Sequence, residues 1–395
     1  MNKLKFFLRS RLRFDRNELS GAFGDIGTDI PLIIGILLVT GMDGGVVFII
    51  YGMMQIITAL VYGIPMPVQP LKVVALLVIT QKLTGNVLLA GGLTIGITML
   101  FMTLSGVVDF LGRIIPKAVI RGIQLGLGLQ LAVLAFNEYI VPDSISGYIL
   151  AGAAFMITIV LLGNRRYPPA LIIVGIGMVC GLILNYHPDM FKMNGHIALP
   201  GISIPTWGDM VTGFLVLALP QIPLSLGNSI YASSQMVQDY FPEKDIPPRK
   251  IAFTYSIMNI LSPLIGGIPV CHGSGGMAGH YTFGARTGGS IVIYGLMFLS
   301  IGLLFGANGS SMLIIFPKSI LGVILFFEGF ALASLVKDMA TEIKCLITTM
   351  IVGICTVFLP HGYLMGTILG MFIYYAFNWN SREAPNTLYV RNVKD

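Results

Sequence analysis

Gly63-Ile64-Pro65-Met66-Pro67-Val68-Gln69-Pro70-Leu71-Lys72 breaks an otherwise apolar stretch of chain. Its prolines at 65, 67 and 70 forbid a regular helix before about residue 67, because each fixes φ and lacks a backbone donor. They suit an extended lead into a helix N-terminus. A second interruption reads Gly267-Ile268-Pro269-Val270-Cys271-His272-Gly273-Ser274-Gly275-Gly276-Met277-Ala278-Gly279-His280. Its glycines let backbone approach backbone or ligand closely. Non-helical backbone inside a membrane survives only where it lines a cavity or is packed in protein.

That the surroundings are membrane follows from composition. Of 395 residues, 55% are hydrophobic and 11% charged, against about 25% charged in soluble domains. Apolar runs of about 20 residues, the length that crosses a hydrocarbon core, recur from end to end. Helices are expected near 22–40, 44–63, 67–80, 86–109, 115–136, 146–163, 169–186, 208–230, 249–268, 273–284, 289–307, 316–335, 341–359 and 361–379. The third and tenth of these fourteen are too short to cross as straight helices. The expected class is therefore an all-α polytopic membrane protein. Lys3, Lys5, Arg9, Arg11, Arg13 and Arg16 run into the first span with no small-residue cleavage site, unlike a signal peptide. The net charge of +6 is better read as topology than as nucleic-acid binding, since the basic residues sit at span ends. With the N-terminus cytoplasmic, inside loops hold Arg113, Lys117, Arg165, Arg166, Lys244, Arg249, Lys250, Arg286, Lys337 and Lys344, and the tail Arg382, Arg391 and Lys394. Outside loops keep Lys82, Lys192 and Lys318, the asymmetry of the positive-inside rule. An inner (cell) membrane location with both termini cytoplasmic is expected.

The chain also echoes itself. Tyr51, Met54 and Ile56 recur as Tyr255, Met258 and Ile260, and Gly63-Ile64-Pro65 as Gly267-Ile268-Pro269, both at an offset of 204. Asp29-Ile30-Pro31-Leu32 is echoed by Gln221-Ile222-Pro223-Leu224 at 192, and Ile115-Pro116-Lys117 by Phe316-Pro317-Lys318 at 201. Seven spans per repeat is odd, so the halves must lie inverted, the pattern of secondary transporters with a midplane site at broken helices. The division expected is a basic N-terminus 1–17, a first repeat 18–186, an external linker 187–207, a second repeat 208–380 and a cytoplasmic tail 381–395.

Two half-helix N-termini meeting in mid-membrane, beginning near Val68 and Gly273, make an anion site. Lys72 adds a full charge, and Gln69, His272 and Ser274 further donors, with the glycines around Gly273 and Gly275 giving close access. Alternatively Lys72 snorkels or neutralises Asp25 or Asp29. Those two acids, with Thr28, open the first span and are costly facing lipid; they relay a coupling proton, bind a cation, or cap the helix. Gln221, Ser225 and Asn228 share a helix face at i, i+4 and i+7, neutral contacts for a solute or interhelical glue. His272 can protonate with transport. The pattern of His272, His280 and Cys271 is too sparse for a metal site, the four cysteines hold no CxxC pair, and no cofactor is expected. His280 and Arg286 read as gate or topology residues, and Glu328 as a partner for Arg121.

Gly24-Asp25-Ile26-Gly27-Thr28, Pro65 to Lys72, Pro220 to Asn228 and Pro269 to Gly279 resemble the signatures of the molybdate transporter family related to sulfate permeases. The resemblance runs from about 17 to 380. It implies a seven-plus-seven inverted repeat in which a core domain (spans 1–4 and 8–11) slides against a gate domain (5–7 and 12–14), with half-helices at spans 3 and 10. It implies molybdate uptake with sulfate as a competitor, and no STAS domain after the last span. Nucleobase permeases of this fold carry acids on spans eight and ten, where Gln221, Asn228 and Ser274 stand here.

The expected function is a secondary active importer of molybdate, not an enzyme, with Asp25, Asp29 or His272 coupling a proton. The substrate contacts expected are Thr28, Gln69, Lys72, Gln221, Asn228, His272, Gly273, Ser274 and Gly275. Sulfate or another oxyanion is the first alternative, an anion channel the second, and a membrane enzyme a distant third. A homodimer is expected by analogy of fold alone.

Overall fold

The computed structural model describes residues 11–161, 169–184, 201–305 and 317–379. Lys3, Lys5, Arg9, Arg165, Arg166, Lys192, Phe316 and the tail cations lie outside the described residues, as does most of the 187–207 linker.

A helix lies on every stretch that hydropathy marked: α1 Ile26–Thr40, α2 Gly44–Tyr62, α3 Lys72–Gln81, α4 Gly85–Leu104, α5 Lys117–Ile140, α6 Ile145–Val160, α7 Pro169–Leu184, α8 Trp207–Tyr240, α9 Pro248–Leu264, α10 Ser274–Thr282, α11 Gly289–Phe305, α12 Lys318–Met339, α13 Ile343–Phe358 and α14 Gly362–Phe377. Five of them (α2, α4, α5, α8 and α12) are long and apolar enough to cross a membrane. The outward faces carry exposed Phe101, Leu104, Val160, Phe358 and Phe372, as expected where lipid rather than water is the solvent.

Local chemistry sets the ends. Asp43 Oδ1 accepts from Gly45 N at 2.8 Å and Val46 N at 3.2 Å, capping α2, which stops at Gly63 in a left-handed conformation with φ 67°. That position suits a residue without Cβ. The chain then runs extended: β1 (Val68–Pro70) pairs antiparallel with β2 (Val270–His272), Gln69 opposite Cys271. The pairing delays α3 to Lys72, four residues beyond the expected start near Val68; α10 begins at Ser274, next to the expected Gly273. Each strand is gripped by an amide from the preceding helix. Gln55 Nε2 donates to Val68 O at 2.7 Å and its Oε1 accepts from Val68 N at 2.8 Å. Asn259 does the same for Val270, at 2.6 and 2.9 Å. Buried backbone groups that no helix satisfies are thus paired.

α8 runs about ten residues past its expected end near 230. Pro220 and Pro223 lie inside it, flanked by π-helical turns at Gly213–Ala218 and Ser225–Tyr231. The wider turns absorb the missing donors and ring clashes of the prolines without ending the helix. In packing, α2 lies against α11, α4 against α9, and α5 against both α12 and α13. α5 and α12 approach through Gly128 and Gly329, where a Cβ on either would run into the other's backbone, a small-residue contact of the kind membrane helices favour.

Candidate functional site

Beside the paired strands lies a cavity of about 700 Å³. α1 contributes Asp25 and Thr28, the first broken segment Gln69 and Lys72, and the second Ser274 and Gly275. The opposite wall comes from α5 (Lys117, Arg121, Gln124), α8 (Asn228, Tyr231) and α12 (Glu328).

The two helix starts are not equivalent. Lys72 is the first residue of α3, and the amides that follow it are occupied: Val73 N and Val74 N donate to Gln221 Oε1 at 3.1 and 3.3 Å. Expected as a substrate contact, Gln221 instead caps α3 from behind and does not line the cavity. The π-turn that begins at Ser225 is the reason. Its wider i→i+5 winding breaks the i, i+7 relation, so Asn228 faces the cavity while Gln221 faces α3. At α10, Gly273 offers no capping side chain, and a Cβ built on Gly275 would meet open space. Gly273 itself packs against the Gln69 amide, where any Cβ would overlap Oε1.

The charges form a compact group. Lys72 is ion-paired with Glu328, and Thr28 Oγ1 donates to the other Glu328 oxygen at 3.1 Å. Glu328 was expected to pair with Arg121; Arg121 pairs instead with Asp338 near the end of α12. Asp25, 3% exposed, is held by Gln69 Nε2 at 2.7 and 2.6 Å to its two oxygens. Lys72 thus neutralises Glu328 by contact, neither Asp25 nor Asp29. From Ser274 a polar chain leads outward: Ser274 Oγ donates to Asn228 Oδ1 at 3.4 Å, which accepts from Gln124 Nε2 at 3.1 Å. Gln124 Oε1 accepts in turn from Arg121 Nη1 at 2.8 Å.

Four further expected residues lie elsewhere. Asp29 is fully buried and its Oδ2 contacts the hydroxyls of Tyr51 at 2.6 Å and Tyr294 at 2.9 Å. His272 sits in β2 away from the cavity, with Nε2 3.0 Å from Thr254 Oγ1 and Nδ1 3.3 Å from Pro67 O. The burial that strand pairing imposes removes it from solvent. His280 is buried edge-on against Tyr294, and Arg286 stacks over Tyr281 at 3.6 Å. Among the described residues no three His, Cys, Asp or Glu side chains gather to hold a metal. Lys117 and Gln124 escape a sequence reading as site residues because they come from a helix distant in the chain, whereas intramembrane charge marked Glu328 and only its partner was misassigned.

This architecture, helices around two paired broken segments and a polar cavity, is that of a multi-pass membrane transporter. It matches solved structures at low identity: the transmembrane domain of a cyanobacterium bicarbonate transporter, BicA (TM-score 0.66, 19% identity, 91% of this chain and 99% of that one), and murine SLC26A9 in the inward-facing state (TM-score 0.69, 13% identity, 96% and 71%). Residues 17–131 and 213–332 match the family model described as molybdate transporter of MFS superfamily. Molybdate transporter 2 of Arabidopsis thaliana is 35% identical over 85% of this chain and 82% of its own length; molybdate transporter 1 of the same plant is 30% identical over 94% and 89%. The chain belongs to the molybdate transporter family, and is a transmembrane transporter rather than an enzyme.

Proposed function

We propose that the protein imports molybdate by proton-coupled alternating access, with the cavity at Lys72 and Ser274 as the substrate site. The observation that carries this reading is that the first residues of two helices, Lys72 of α3 and Ser274 of α10, line one cavity. One brings an ammonium; the other brings a first turn of Ser274 and Gly275 with room for a ligand. A tetrahedral dianion finds there a full positive charge and the N-terminal ends of two helix dipoles. Thr28, Gln69 and Asn228 surround the same space. The names of the plant relatives favour molybdate among oxyanions of this shape.

The seven-plus-seven inverted repeat fits the packing. Exchanging halves turns the α2–α11 contact into α9–α4, and both contacts are present. The Gln55 grip on Val68 likewise becomes the Asn259 grip on Val270. The two family-matched stretches begin about 200 residues apart, like the internal echoes. On this reading spans 1–4 and 8–11 form the core and 5–7 and 12–14 the gate, so the cavity lies between them. The distribution of Lys and Arg favours cytoplasmic termini in an inner membrane.

Coupling follows from charge. Asp25 and Glu328 both line the cavity beside Lys72, so a dianion bound at that ammonium is repelled by each of the two carboxylates that is ionised. A proton entering with the substrate, with Asp25 as an acceptor, relieves the repulsion. Purified protein in proteoliposomes is expected to concentrate labelled molybdate when a proton gradient points inward, with tungstate competing and uracil not. Absence of uptake, or uptake that only equilibrates as through a channel, overturns the importer reading. Gradient-driven uptake that survives unchanged in Asp25→Asn removes Asp25 from coupling.

A further inference from the structure

The Lys72–Glu328 pair joins the first residue of α3 to the middle of α12, and it occupies the groups that an oxyanion would use. One Glu328 oxygen contacts the ammonium and the other accepts from Thr28 Oγ1 at 3.1 Å. Asp25 differs: both of its oxygens are taken by the Gln69 amide. Among the described residues Glu328 accepts from Lys72 and Thr28 and from no amide, and its 20% exposed side chain is open to the cavity. The charged groups sharing its space are Lys72, Asp25, Lys117 and Arg121, the last already paired with Asp338.

We infer that Glu328 is a tethered stand-in for the transported oxyanion, a carboxylate that must take up a proton and release Lys72 before substrate can bind. This rests on the oxyanion-transport reading. A carboxylate and an oxyanion offer a lysine the same chemistry, anionic oxygen at hydrogen-bond distance, and two such groups beside one ammonium repel each other strongly. Protonation removes the Glu328 charge and frees the ammonium. Substrate departure lets Glu328 return its proton to water and rejoin Lys72. Because the two residues sit on α3 and α12, the exchange also makes and breaks the charged link between those helices in step with binding. A carboxylate of the chain thereby gates its own substrate.

Calorimetric titration of the purified full chain with tungstate, in buffers of different ionisation enthalpy, tests this. Wild-type protein is expected to take up a proton on binding. Glu328→Gln is expected to bind about tenfold tighter or more at pH 7.5, since the competing charge is gone, and to take up about one proton fewer. In proteoliposomes it should exchange internal for external molybdate while responding less to a pH gradient. Glu328→Asp, whose carboxylate is withdrawn by one methylene, should bind tighter than wild type yet still take up the proton, which keeps the test open should the amide variant fail to fold. Affinity and proton uptake equal to wild type in either folded variant, or weaker binding in both, overturns the inference. Wild-type protein that binds neither tungstate nor molybdate overturns the transport reading instead.

Discussion

Gln55 grips Val68 in the first broken segment as Asn259 grips Val270 in the second, and in each an extended strand turns into a helix four residues after the gripped one. Past that point the segments diverge. The first places a lysine at its helix start and surrenders its next amides to Gln221. The second places a serine and two glycines there, with open space beside Gly275. The lesson is a division of labour: one segment supplies charge, the other close backbone access. A dianion needs both, since helix dipoles contribute only partial charges and a lone lysine carries no directional cradle.

The comparison breaks most severely at the charge. Lys72→Met should abolish molybdate uptake and leave the partly exposed Glu328 without its ammonium, lowering stability by less than a fully buried pair would. Thermal unfolding in detergent should recover substantially in the Lys72→Met, Glu328→Gln double variant, while transport should not. Recovery of uptake in the double variant would take substrate binding away from Lys72.

The shared scaffold offers a test of sameness. Gln55→Leu and Asn259→Leu each strand a strand donor and acceptor, at about 1–3 kcal/mol per buried group. If the two grips are equivalent, the two melting shifts should be alike. A large shift in one and none in the other would show that a single segment holds the site together.

Smaller effects separate the two helix starts. Gln221→Leu uncaps α3, an expected loss of about 1–2 kcal/mol by analogy with N-cap removal, with uptake reduced through displacement of Lys72. Smallest of all, Gly275→Ala should fold normally, because its methyl group enters open space, and weaken tungstate binding by only several-fold. Gly276→Ala, whose methyl group would strike the Asp25 carboxylate, should fold poorly. Identical behaviour of the two alanines, measured by melting and titration, would dissociate Gly275 from the cavity.

Much of this was legible in the chain. Apolar run length gave the helices, because lipid demands self-satisfied backbone, and proline and glycine placement marked both breaks. The site was legible only in part. Asp25, Thr28, Gln69, Lys72, Asn228, Ser274 and Gly275 line the cavity, all at a break or a helix start except Asn228, which lies in a π-turn inside α8. Gln221 and His272 were misplaced for local reasons that spacing does not carry, a π-turn that shifted helical phase and a strand pairing that buried a side chain.

The sequence by itself therefore determined where the chain leaves the helix and which polar groups must be sheltered from lipid, since these depend on bonds within a segment and on the solvent around it. Which side chains meet is settled by packing: Lys72 with Glu328, 256 residues apart, and Arg121 with Asp338. Such partnerships are set by close helix approach, as at Gly128 and Gly329, and no property of either residue's own neighbourhood in the chain specifies them.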